Sequence, residues 1–157
     1  MIEVKYQGNN VLLKSAENVE ISLDTQTNTV EIEDFDVTYP GEYEKSGVLL
    51  EVKEYEEKLF YHFVIDTKHV VIVNAESLEL KEEIVTFFGD VDILLIHGSK
   101  ASAKLFENIE AKVVIPFSEG KDVFLNTLGQ HIEEIPVAKI KSEMPLDNTE
   151  FYNIEIK

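Results

Sequence analysis

Apolar side chains recur at every second position through the first part of the chain, as in Val19, Ile21 and Leu23, in Val30 and Ile32, and in Val48, Leu50 and Val52. A period of two marks strands with one buried and one wet face. Asn9-Asn10, Asp24 to Asn28 and Glu54 to Lys58 interrupt the runs with polar residues. The first half therefore reads as antiparallel strands joined by hairpins. Past residue 65 the rhythm changes to unbroken apolar runs, Val70 to Val73, Ile93 to Ile96 and Val113 to Ile115. Runs of that length suit strands covered on both faces.

Between these runs the spacing turns helical. Leu80, Ile84, Phe87 and Phe88 share one face and are closed by Gly89, a residue suited to the left-handed position after a helix. Leu105 and Ile109 follow Ser99, a candidate N-cap, and Phe124 and Leu128 lead to Gly129. Strand and helix in alternation predict parallel pairing through right-handed crossovers. The tail from Phe151 to Ile156 alternates again and should rejoin a sheet. The expected class is mixed α/β, one domain over residues 1–157, without repeats or linkers.

Composition narrows the chemistry. With 157 residues, 44% of them hydrophobic, the chain can fill a core of ordinary size. There is no cysteine, which removes disulfides, thiolate nucleophiles and thiolate metal sites. Arginine is also absent, and 31 acids against 14 lysines give a net charge of -17. Nucleic acid and anionic membrane are then poor partners, because both need a basic stripe. A homo-oligomer or a protein partner stays open, and Tyr55, Phe60, Tyr61 and Phe63 are a candidate aromatic patch that core packing explains more simply. The first residues lack a basic, then apolar, leader, so a cytoplasmic location is expected.

In open α/β sheets the loops leaving parallel strands meet along one rim. Three segments should converge there, Asn74 to Ser77, His97 to Lys100 and Phe117 to Gly120. Glu76, His97 and Ser118 are the candidates for acid, base and hydroxyl in a hydrolytic site. No Gly-x-Ser-x-Gly elbow supports a serine nucleophile, and Ser99 and Ser118 are more simply helix caps. The four histidines, His62, His69, His97 and His131, form no His-x-His, no His-Glu-x-x-His and no paired spacing on one face, so neither a metal nor another cofactor is expected. The acidic stretch Glu31 to Asp36 reads as a solvated strand edge and turn.

Several segments taken in order resemble the metallo-β-lactamase fold, in the branch of small metal-dependent hydrolases related to L-ascorbate-6-phosphate lactonase. Tyr39-Pro40-Gly41-Glu42-Tyr43-Glu44 with Gly47-Val48 is similar to its Gly-Pro-Gly-Glu-Tyr-Glu and Gly-Val segments. The family's Gly-Asp-Val-Asp-Ile-Leu-Leu-Ile run is intact at Gly89 to Ile96, and its Ile-Pro strand end at Ile115-Pro116. The resemblance implies an αββα sandwich, here shortened.

The same resemblance implies a lost metal centre. The family's His-x-His-x-Asp-His loop has no counterpart between Asp24 and Val30, Asn9 stands for the histidine of the opening motif, and Ser118 for the last one. The bridging aspartate falls near Asn74, where Glu76 is the nearby carboxylate. With no inherited ligand in place, the activation of water by a metal has nothing to hold its ion. The expectation is a pseudoenzyme with a binding, scaffolding or regulatory role, its candidate rim being Asn9, Asp24, Asn74, Glu76, His97, Ser99 and Ser118. The alternative is a rebuilt hydrolase using Glu76, His97 and Ser118 on a small ester, lactone or phosphoester.

Overall fold

A computed structural model describes residues 1–75, 79 and 81–157. Thirteen strands and three helices follow one another among these residues. Strands β1 (Ile2–Gln7), β2 (Asn10–Lys14), β3 (Glu20–Asp24), β4 (Thr29–Ile32) and β5 (Phe35–Val37) form an antiparallel meander. A later strand, β12 (Ala138–Ile140), adds to the free edge of β1. Outward positions such as Lys5, Glu20 and Glu31 are exposed, while Val4, Leu13, Ile21 and Val30 point inward, which is the alternation of a sheet wet on one side.

The second sheet begins with β6 (Gly41–Lys45), β7 (Val48–Tyr55), β8 (Lys58–Ile65) and β9 (Lys68–Val73), all antiparallel. It continues in parallel through β10 (Val91–His97), β11 (Ala111–Phe117) and the short β13 (Glu150–Phe151). Hairpin turns set its register. Glu56 and Glu57, then Asp66 and Thr67, all lie at positive φ, the backbone that two-residue turns of the I′ class require.

Helices α1 (Glu82–Phe88), α2 (Lys100–Phe106) and α3 (Lys121–Thr127) cover the outer face of this mixed sheet. Two cores result. Between the sheets Val4, Leu13, Ile21 and Ile32 meet Leu50, Phe63, Ile72 and Leu95. Between sheet and helices Phe60, Val71, Leu94 and Val114 meet Ile84, Phe88, Leu105 and Phe124. The central strands β9, β10 and β11 serve both cores, and that is why their apolar runs are unbroken.

The alternating strands of the first half are divided between the two sheets of the expected sandwich: the chain crosses from the antiparallel sheet to the mixed one at Thr38 to Pro40, and Gly41 to Lys45 is an edge strand of the second. The tail rejoins by short contacts, with β13 beside β11 and single bridges from Ile154 to Ile135 and Ile156 to Tyr6. Phe60, Tyr61 and Phe63 are buried, so they belong to the cores and not to an exposed patch. Among the described residues no helix is long and apolar enough to cross a membrane.

Candidate functional site

The carboxyl ends of β9, β10 and β11 do converge, and with the turns of the antiparallel sheet they enclose a cleft of about 690 Å³. Asn9, Asn74, His97, Ser99 and Ser118 line it: strand topology brought the last four together, and the resemblance added Asn9. Asp24 does not line it. Its Oδ1 instead accepts from the backbone N–H groups of Gln26 and Thr27 at 2.9 and 3.2 Å, and the turn so fixed presents Thr25 and Gln26 to the cleft. Glu76 lies outside the described residues, and Leu80, assigned to the first helical face, does too.

Hydrogen bonds tie the walls to one another. Asn74 Nδ2 donates to Thr25 O at 2.8 Å and to Asn28 Oδ1 at 2.9 Å, linking the mixed sheet to the β3–β4 turn. Thr25 donates through N and Oγ1 to Asn9 O, both at 2.9 Å, which joins that turn to the β1–β2 turn. Tyr6 donates its phenolic proton to Pro116 O at 2.8 Å beneath the cleft, and burial raises its pKa well above the ordinary value. His97, half-buried, sets its ring edge-on to Phe117 with centroids 5.7 Å apart.

The loops after β10 and β11 touch backbone to backbone. A Cβ on Gly120 would lie 2.0 Å from Gly98 O, and one on Gly98 would lie 2.6 Å from Lys121 N and Cα. Only glycine permits this approach. The contact also brings Gly98 N–H to Phe117 O at 2.8 Å, closing the floor between the two loops.

The two serines part company here. Ser99 is the N-cap of α2, its Oγ accepting from Ser102 N at 3.0 Å while Ser102 Oγ accepts from Ser99 N at 2.9 Å, a reciprocal capping box. Ser118 is not a cap, because α3 starts from Gly120 without a side-chain hydrogen bond. It sits at a φ of 72°, and its Oγ is buried without a partner. A left-handed serine with an orphaned hydroxyl is costly on both counts. It also means that no hydrogen bond joins Ser118 to His97, so the two do not form a nucleophile and base pair.

The structure overturns one further expectation. His62 and His69 are paired on one face: His62 Nε2 and His69 Nδ1 stand 2.9 Å apart at the opposite end of the sheet from the rim. The sequence carried a signal for this. A two-residue turn at Asp66-Thr67 pairs position 64 with 69, which puts 62 and 69 diagonally side by side on the same face.

No family model matches the chain, and neither does any curated protein. Among solved structures it matches a protein of Thermotoga maritima described as belonging to the metallo-β-lactamase superfamily, with zinc-dependent hydrolysis the suggested activity. The TM-score is 0.75 at 14% identity, over 98% of this chain and 99% of that one. The fold is that of the metallo-β-lactamases. In a metallo-β-lactamase fold the rim is where a zinc site would be sought, so its donors can be tested against that ion. Zinc takes three or four imidazole, thiolate or carboxylate ligands in a tight tetrahedron. Among the described residues no three His, Asp or Glu side chains stand close enough to hold a metal. Among the described residues the cleft offers amides and hydroxyls, the imidazole of His97, the exposed carboxylate of Glu119 and the exposed ammonium of Lys100. These residues do not fit zinc.

Proposed function

We propose that this protein is a non-catalytic metallo-β-lactamase-fold protein whose rim cleft binds a small polar molecule. The observation that carries the reading is the lining of the cleft: Asn9, Gln26 and Asn74 bring side-chain amides to walls that the Asn74 and Thr25 hydrogen bonds tie together, beside the exposed Lys100 and Glu119. Preformed walls with a few convergent polar groups are what a binding pocket needs. Neutral amides and hydroxyls complement a ligand rich in hydroxyl or amide groups better than an ion. The retained Gly89 to Ile96 run and the Tyr39 to Glu44 segment support descent from the branch related to L-ascorbate-6-phosphate lactonase, with binding kept and hydrolysis given up.

The rebuilt hydrolase is the less favoured reading, since Ser118 Oγ is buried and unpaired rather than held by His97. Assays against small esters, lactones and phosphoesters, with and without added Zn²⁺ or Mn²⁺, should give only the buffer rate. Turnover that His97→Ala removes would overturn the proposal. A screen of neutral polyols and amides by thermal shift should find ligands whose stabilisation falls in Asn74→Ala.

A further inference from the structure

We propose that the free edge of β6 takes up a short extended peptide segment in which two basic residues flank an apolar one, added antiparallel as a further strand of the mixed sheet. β6 ends that sheet, with β7 as its neighbour among the described residues. The proposal does not depend on what the rim binds.

The turn between β6 and β7 fixes which backbone groups the edge offers. Ser46 and Gly47 lie at positive φ, 55° and 82°, so a two-residue turn closes the hairpin on the pair Lys45 and Val48. Such a turn makes its flanking pair the hydrogen-bonded kind, and the two kinds of pair alternate along an antiparallel ladder. Lys45, Tyr43 and Gly41 therefore direct their N–H and C=O groups to β7, while those of Glu42 and Glu44 point away from it, into the open edge. A row of unpaired main-chain donors and acceptors is what a strand-adding peptide uses.

The side chains choose the partner. Glu42 and Glu44 are exposed on the outer face of the strand, where Glu44 Oε1 also accepts from Gly47 N at 3.1 Å. Residues directly opposite them in an added strand share that face, where opposite charges stabilise a cross-strand pair and like charges oppose it. Glu51 of β7 already stands directly across from Glu42, a like-charged pair that a neighbouring cation relieves. The strand's own cation, Lys45, is bound to Asp34 at 3.4 Å on the other face. A second copy paired about a two-fold axis through Tyr43 would set Glu42 of each chain against Glu44 of the other, so the edge rejects itself and accepts lysine or arginine. Between the two basic residues, the central one falls beside Tyr43 on the inner face. There the partly exposed ring of Phe35 lies 6.1 Å from that of Tyr43, an aromatic pair that an apolar side chain covers. The charge of -17 steers a basic segment toward the chain without choosing a place for it. The alternating acids on an open backbone edge do.

The test titrates the intact protein, at physiological salt, with a capped peptide carrying Lys-Val-Lys between threonines, read by fluorescence anisotropy and by amide hydrogen exchange. Exchange at Glu42 and Glu44 should slow on binding, whereas that at Tyr43, already bonded to β7, should not change. Glu42→Lys combined with Glu44→Lys should weaken binding by at least about tenfold, since both cross-strand pairs turn repulsive. N-methylation of the peptide lysines should do the same, while N-methylation of the valine, whose N–H points away from β6, should not; this comparison needs no variant protein. Equal binding of a Lys-Lys-Val peptide of the same composition, or of the N-methyl-lysine peptide, would reduce the interaction to charge and overturn the proposal. No saturable binding would overturn it, and so would a dimer of the chain, seen by light scattering, that excludes the peptide.

Discussion

Gly120→Ala is the sharpest probe of how the rim is built. Gly120 has a φ of -84° as the N-cap of α3, an ordinary backbone for alanine, so any penalty is steric. The added methyl would stand 2.0 Å from Gly98 O and 2.8 Å from Gly98 C, both rigid backbone atoms. The loops would have to part by more than about 1 Å to regain ordinary contact. That movement strains the Gly98 N–H to Phe117 O bond at 2.8 Å and the Phe124 N–H to Gly120 O bond at 3.0 Å. Overpacking costs about 1–3 kcal/mol and a weakened buried hydrogen bond about 1 kcal/mol more, so a loss of roughly 3 kcal/mol is expected. For a chain of this size that lowers Tm by roughly 6–12 °C. Urea denaturation and thermal melting measure it directly. Gly129→Ala is the contrast, since its Cβ meets nothing and only its φ of 71° is penalised, at about 1 kcal/mol. A Gly120→Ala protein within about 0.5 kcal/mol of the parent would refute the backbone contact.

Three further outcomes are expected. Gly41→Val should lower stability by 2 kcal/mol or so, because Gly41 has a φ of 152° and its Cβ would press on Tyr43 Oη at 3.2 Å, whereas Glu42→Gln on the exposed edge should change folding by less than about 0.5 kcal/mol; equal melting curves for the two would count against this. Burial raises the phenol pKa of both Tyr6 and Tyr61, so the folded chain keeps protons that the unfolded chain releases above about pH 10. The unfolded state then binds fewer protons, and stability should fall as pH rises past that point, more steeply than in Tyr61→Phe. Lys121→Met should cost about 2 kcal/mol by leaving Asn153 Oδ1, now 2.6 Å from the buried Lys121 Nζ, without its donor. Glu134→Gln should cost under about 1 kcal/mol, because that partner is half exposed; urea midpoints decide both.

Much of this architecture was legible because burial on two faces leaves an unmistakable mark. Val70 to Val73, Ile93 to Ile96 and Val113 to Ile115 read as central strands, and they are. The division of the alternating strands between two sheets was hidden, since a period of two reports that one face is buried and not which sheet it faces. The rim assembled as topology required, but the roles of its serines did not follow from residue type. Ser99 caps a helix as expected, while Ser118 is left-handed beside the Gly98–Gly120 contact, which no local pattern announces. The His62–His69 pair depended on a two-residue turn of Asp and Thr, weaker turn signals than Asn-Gly.

The central proposal, that the rim cleft does not hold zinc, is met most directly by an anomalous difference map at the zinc edge from crystals grown with Zn²⁺. The account predicts no peak in the cleft bounded by Asn9, Asn74, His97 and Ser118. A peak there, ligated by His97, would contradict it.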